Sequence, residues 1–184
     1  MEKERYWTFI MYPESMPEDW KEILQESGLQ IGISPLHDKD TNADDTQKKE
    51  HYHVLLCFNG PTTYKRVMKL IEPLNGTIAK RVISPIGMVR YFTHKDNPEK
   101  AQYNDEEIIS INGFDPKDFN GITKSMEENL KRAIIDIIRK KNIEEYAVLI
   151  DYLRDNELYD MFDIASNKTI FFNTYLTSYR HKEK

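Results

Sequence analysis

From Glu50 to Phe58 the chain reads Glu-His-Tyr-His-Val-Leu-Leu-Cys-Phe and then meets Asn59-Gly60-Pro61. This stretch constrains the fold more than any other. A short apolar run bounded by turn residues reads as a β-strand, which sends alternate side chains to opposite faces. His51 and His53 then project side by side, about 7 Å apart, while Tyr52 and Val54 point the other way. Two imidazoles at that spacing can converge on a metal if a neighbouring segment adds a further ligand. Ser34-Pro35-Leu36-His37-Asp38-Lys39-Asp40 follows a second apolar run, Leu29 to Ile33, and carries suitable groups. Paired histidines on a strand are commonly plain polar-face residues. Here, however, His37, Asp40, His51 and His53 are all ligand types used by divalent metals, and all fall at the ends of two adjacent predicted strands.

The 184 residues leave room for one domain of ordinary size and a small second one. With 11 Tyr, 8 Phe and 2 Trp, and with charge spread along the chain, the composition is that of a globular protein and excludes a disordered tail. The single Cys57 excludes an internal disulfide and a cysteine-based zinc site, and reads as a core thiol in a reducing compartment. Met-Glu-Lys-Glu-Arg at the start lacks the apolar core of a signal peptide, and no run approaches membrane-spanning length. The expectation is a soluble, cytoplasmic protein that does not engage a membrane. Net charge is −5, yet residues 60–100 hold 8 basic side chains against 3 acidic ones. Lys65, Arg66, Lys69, Lys80, Arg81 and Arg90 are the candidate DNA-binding residues of this locally basic segment, which surrounds Tyr91.

In chain order, residues 5–12 form an aromatic and β-branched strand ended by Pro13. A helix follows Ser15 and carries Trp20, Ile23 and Leu24 to Gly28, ahead of strand Leu29–Ile33. Residues 38–49 read as a loop before the strand 50–58. Thr62 or Thr63 caps a helix with Val67, Met68, Leu70 and Ile71, and Asn75-Gly76 turns the chain into a strand from Thr77 to Ile83. The order βαββαβ predicts an α+β fold, a ferredoxin-like or RRM-like antiparallel sheet with both helices on one face. His51 and His53 then sit on a central strand, on the face the helices leave open. A helix from Pro85 to Lys95 presents Met88, Tyr91, Phe92 and Lys95 at helical spacing. Turn pairs through residues 96–120 read as a final edge segment and a linker. The assigned domains are 1–118 and 122–184, the second a small all-α C-terminal domain of amphipathic helices. Its apolar residues Ile134, Ile138, Leu149, Tyr152 and Phe162 are expected to be exposed and to assemble subunits. No GxxxxGK[ST] loop is present, which argues against an ATP-driven helicase.

A metal held by imidazoles and a carboxylate, with a tyrosine on an adjacent helix, suits transesterification of a phosphodiester. A phenol with a pKa near 10 needs a cation to help it ionise, and Lys95 and the metal are the candidates. Trp7-Thr8-Phe9, Tyr12-Pro13-Glu14-Ser15, Ile33-Ser34-Pro35-Leu36-His37-Asp38-Lys39-Asp40, His51-Tyr52-His53-Val54-Leu55 and Tyr91-Phe92-Thr93-His94 occur in this order. In that combination the first 115 or so residues resemble the replication initiators of small rolling-circle plasmids, in the HUH endonuclease superfamily. The resemblance implies that His37, Asp40, His51 and His53 bind Mn²⁺ or Mg²⁺. It also implies that Tyr91 nicks one origin strand, leaving a 5′-phosphotyrosine and a free 3′-OH. A lone motif tyrosine matches the single-tyrosine members. The implied partners are plasmid origin DNA (a single-stranded hairpin loop and duplex repeats), host helicase and polymerase, and further copies of the chain. Spacing leaves Asp38 and Asp40 as rivals for the carboxylate ligand. Three other readings stay open: a non-catalytic RRM-like module in which Tyr52 stacks on bases, an HUH transposase or relaxase, and a metal hydrolase that uses water and leaves Tyr91 idle.

Overall fold

The structure, a computed structural model, describes residues 3–42, 44–119, 121–122 and 124–181. Asn120 and Thr123, where the sequence predicts a turn and a change of composition, lie outside the described residues. The chain divides into two compact units, Met1–Asn120 and Gly121–Lys184.

In the first unit, β1 (Lys3–Met11), β2 (Gln30–Ile33), β3 (Tyr52–Thr63), β4 (Lys80–Arg81) and β5 (Ile109–Ile111) form one sheet in the order β4-β1-β3-β2-β5. Every pairing is antiparallel. Alternation along β1 buries Trp7, Phe9 and Met11, which join Ile31, Ile33, Val54, Leu56 and Phe58 in one core. Helices α1 (Trp20–Glu26) and α2 (Tyr64–Ile71) cover this face with Trp20, Leu24, Val67 and Ile71. Thr63 caps α2, its hydroxyl accepting from the Arg66 amide. Odd-numbered residues of β3 point the other way. There Leu55 and the buried thiol Cys57 meet Phe92 and Phe114, with Met88, Val89 and Phe119 packed alongside.

Three boundaries differ from expectation. Strand β3 runs through Asn59-Gly60-Pro61 to Thr63, because the ladder to β1 shifts between Tyr6↔Cys57 and Glu4↔Thr62 and so absorbs the turn residues in a bulge. The Arg5 Nε donates to the Phe58 carbonyl there. Strand β4 keeps only Lys80 and Arg81 in register, and the rest of 77–82 follows β1 through single bonds, Thr77 N to Ile10 O and Val82 N to Tyr6 O. Helix α3 (Pro85–Tyr91) stops well short of Lys95. Its last turn closes with His94 N on Tyr91 O and Lys95 N on Arg90 O, around a left-handed His94 at φ 57°.

One close approach in the sheet is testable. A Cβ on Gly32 of β2 would lie 2.4 Å from the ring of buried Phe114. Gly32→Ala should therefore cost about 1–3 kcal/mol through overpacking, read as a lowered urea midpoint with unchanged slope.

The second unit contains α4 (Lys124–Lys141), α5 (Tyr146–Asp155), α6 (Tyr159–Asn167) and α7 (Thr169–Arg180). Leu130, Ile134 and Ile138, four residues apart on α4, close against Leu149, Leu153, Met161, Phe172 and Leu176. This corrects the expected exposure: Ile134, Ile138 and Leu149 are fully buried in the unit's own core, and Tyr152 and Phe162 pack against it. Among the described residues the large apolar side chains exposed here are Ile122, Val148, Ile170 and Phe171. Among the described residues no helix is long and apolar enough to cross a membrane.

Candidate metal centre

His53 follows the parity of Leu55 and Cys57, so β3 aims it at the face away from α1 and α2. Tyr52 goes to the opposite face and stacks on Trp20 at 6.3 Å, inside the helical layer. Tyr52 is therefore on the face away from the histidines. Beyond Ile33 the ladder to β3 becomes irregular. Ser34 N donates to His53 O and Ser34 Oγ accepts from His53 N, and His37 then pairs with His51 across an isolated bridge. The irregularity around Pro35 places the His37 ring 4.9 Å from that of His53 and 5.4 Å from that of His51.

Sequence reasoning missed one member of this cluster. Of the chain's five histidines, four gather here, and the fourth is His94, fully buried with its ring 4.6 Å from that of His37. The signal was the residue's place in Tyr91-Phe92-Thr93-His94. A helix running to Lys95 gave it no special orientation, whereas the actual helix end turns it inward.

Asp38 and Asp40 separate clearly. Asp40 is buried, with Oδ2 3.4 Å from His37 Nδ1 and 3.8 Å from His94 Nε2. Asp38 belongs to neither group of converging ligand atoms, and its carbonyl accepts from Gln47. Asp40 Oδ1 accepts from the Tyr103 hydroxyl, which itself accepts from Lys39 N, and the Tyr103 ring lies flat on His37 at 4.4 Å. Burial, with the Asp40 charge adding to it, pushes the Tyr103 phenol up to about 12, so it stays a donor. Tyr103 carried no sequence signal, since it lies in the turn-rich stretch.

The imidazole protons decide what this arrangement can hold. His37 Nε2 donates to Phe92 O, His51 Nδ1 to Lys49 O and His94 Nδ1 to Ala101 O, at 2.7–2.8 Å. Each ring is thus tied to a backbone carbonyl by one nitrogen and offers a lone pair on the other. His37 Nδ1, His53 Nε2 and His94 Nε2 are buried without a hydrogen-bond partner among the described residues. Inward lone pairs with nothing between them repel, and a cation removes both the repulsion and the desolvation cost. Ligand atoms of His37, His51 and His53, and separately of His37, Asp40 and His94, lie within 4.8 Å of one another. The donor set is therefore one that divalent transition-metal ions accept.

Burial, then the neighbouring His37, His51 and His94, lowers the His53 pKa to about 2, and burial lowers that of His37. Neutral imidazole is the form that binds metal. A consequence for the metal-free protein follows. Below pH 6.5 the unfolded chain takes up protons that folded His53 refuses down to about 2, so stability rises with pH across that window. Urea midpoints should fall between pH 7 and pH 5, and by less in His53→Asn; equal falls would contradict the assignment.

Tyr91, half-buried at the end of α3, reaches the cluster, its ring 5.1 Å from those of both His53 and His94. Lys95, expected one turn on along the helix, instead leaves it and pairs with Asp105 on the surface. A different cation, the Lys100 ammonium, stands 5.5 Å from the Tyr91 ring centre. Arg90 pairs with Asp96 beside Tyr91. Lys65, Arg66 and Lys69 lie exposed on α2, on the sheet face away from the histidines, and Lys80 and Arg81 lie exposed on edge strand β4. The structure therefore does not bring these five to the cluster.

Comparison with known proteins bears on both units. Residues 1–117 match the family described as plasmid replication protein, origin binding domain, and residues 127–181 match the C-terminal family of replication protein RepB. A replication protein of Staphylococcus aureus is 36% identical over 97% of this chain and 90% of its own length. Replication protein RepB of Lactiplantibacillus plantarum is 33% identical over 98% of this chain and 83% of its own, and that of Streptococcus agalactiae 34% identical over 84% and 79%. With a family match across most of the chain and relatives aligned over nearly all of it, the chain belongs to the plasmid replication proteins that carry an origin binding domain.

Proposed function

We propose that the protein is a rolling-circle plasmid replication initiator of the single-tyrosine HUH type, a metal-dependent endonuclease and strand transferase acting on single-stranded origin DNA in the cytoplasm. The strand order β4-β1-β3-β2, with β1 and β3 interior, supports the split βαββαβ, ferredoxin-like reading of its first unit. The observation that carries the proposal is the Tyr91 ring set 5.1 Å from two rings of a buried histidine cluster whose free lone pairs fit a cation.

His37, Asp40, His51 and His53 hold Mn²⁺ or Mg²⁺ in this reading. When bound, the cation supplies charge that polarises the scissile phosphate. The Tyr91 oxygen attacks phosphorus as the bond from phosphorus to the 3′-oxygen breaks. The phenolic proton is balanced by the proton gained at the departing 3′-oxygen, leaving a 5′-phosphotyrosine and a 3′-OH. Lys100 takes the role of a cation beside the phenol that was expected of Lys95. Arg90 is placed to meet phosphate near Tyr91, whereas Lys65, Arg66, Lys69, Lys80 and Arg81 serve origin duplex away from the nick. The ester conserves the energy of the cleaved bond, so rejoining needs no nucleotide. The 3′-OH would prime the host polymerase behind a host helicase. The test is incubation with 5′- and 3′-labelled single-stranded origin DNA and Mn²⁺. A protein-DNA adduct that survives denaturation, on the fragment 3′ to the nick, is expected; cleavage without an adduct favours a water-using hydrolase, and binding alone an RRM-like module.

The helical unit is assigned to subunit assembly, supported by the exposed Val148, Ile170 and Phe171. Light scattering should give more than one copy per particle at micromolar concentration, and Ile170→Asp should lower that number. A strict monomer with and without DNA would remove the assembly role.

A further inference from the structure

We propose that His94 is an additional ligand of the cation, so that four imidazoles, rather than three, face the ion together with Asp40. This rests on the metal-dependent reading above and extends it to a residue outside the ligand set that the sequence motifs suggest.

The geometry of His94 argues for a ligand and against a packing residue. Its Nδ1 lies 2.7 Å from the Ala101 carbonyl, which fixes the proton on Nδ1 and leaves Nε2 with a lone pair. That Nε2 is buried and has no hydrogen-bond partner among the described residues. Asp40 Oδ2, 3.8 Å away, is too far for a hydrogen bond and, like Nε2, presents a lone pair. Asp40 Oδ1 is already taken by Tyr103, so Oδ2 is the carboxylate oxygen turned toward His37 and His94. With the ligand atoms of His37, Asp40 and His94 within 4.8 Å of one another, the group spans no more than two bonds of roughly 2.0–2.4 Å on opposite sides of one ion.

The backbone gives independent support. His94 occupies the left-handed position that ends α3, at φ 57°, where glycine or asparagine is the usual residue. Histidine is among the few non-glycine side chains that adopt this conformation readily, and here it is fully buried. The helix end is what swings the imidazole back beneath Tyr91, 5.1 Å from its ring. A ligand there couples the position of the tyrosine to that of the cation through three residues of chain.

The test uses the full chain, Mn²⁺ and the variant His94→Gly, which suits the left-handed backbone and vacates the volume of one imidazole. Pulsed EPR of bound Mn²⁺ reads coupled ¹⁴N nuclei, and titration calorimetry reads affinity. His94→Gly should lose one coupled nitrogen and, as loss of a direct ligand, more than about 100-fold in affinity. Added ¹⁵N-imidazole should then produce a ¹⁵N coupling in the variant that the parent, given the same imidazole, lacks. If His94→Gly fails to fold, His94→Asn, also at ease in the left-handed region, serves for the nitrogen count and affinity. An unchanged nitrogen count and affinity in the folded variant would overturn the proposal while leaving the metal-dependent reading intact. A parent protein that binds no Mn²⁺, or binds it without nitrogen coupling, would instead overturn that reading as well.

Discussion

Tyr91→Phe is expected to bind single-stranded origin DNA as tightly as the parent and to nick it at least on the order of 10³-fold more slowly, with no covalent adduct. The substitution removes one oxygen. Phenylalanine keeps the ring whose centre lies 5.1 Å from those of His53 and His94 and 6.4 Å from that of His37. Loss of nicking with intact binding therefore isolates the oxygen as nucleophile. Lys100→Gln gives a graded companion, because it withdraws a nearby positive charge without touching the attacking atom, and should slow the step far less. A Tyr91→Phe protein that nicks at the parental rate would move the chemistry to water.

His53→Ala should raise the Mn²⁺ dissociation constant by more than about 100-fold, since loss of a direct ligand exceeds the effect of losing an outer-shell partner. The metal-free protein should be much less affected. Buried Nε2 of His53 has no hydrogen-bond partner among the described residues, so its removal relieves a desolvation cost of about 1–3 kcal/mol that partly offsets the cavity left behind. The contrast is measurable by thermal melting. Mn²⁺ at 100 times its dissociation constant should stabilise the parent by about 2.7 kcal/mol and the variant scarcely at all. Equal stabilisation of both proteins would reduce the cluster to packing histidines.

What the sequence revealed and what it hid follow from different physics. Alternation along a strand is a local rule, so the projection of His51 and His53 to one face, and of Tyr52 to the other, was readable from parity. Helix spacing likewise gave Tyr91, the last residue of α3, and Phe92, its cap, different fates, one at the cluster and one buried against Leu55 and Cys57. The place where α3 ends was not readable, because His94 takes a left-handed conformation that its residue type does not announce. That single misjudged boundary hid the fourth imidazole and set Lys95 one turn along the helix, whereas it pairs with Asp105 once the helix has ended. The choice of Asp40 over Asp38 depended on burial and on Tyr103, a contact between residues 63 positions apart. Ile134, Ile138 and Leu149 were legible as apolar, but their partners lie on other helices, and only the folded unit shows that they face inward.

The central claim is that Tyr91, beside the histidine cluster, becomes joined to DNA. The most direct measurement is mass spectrometry of the protein after reaction with a short single-stranded origin oligonucleotide and Mn²⁺, nuclease trimming and proteolysis. A peptide carrying a residual 5′-linked nucleotide through phosphate on Tyr91 is expected, and none when Mn²⁺ is withheld. Attachment at any other residue, or full conversion of the oligonucleotide to nicked product with Tyr91 unmodified throughout the time course, would contradict the claim.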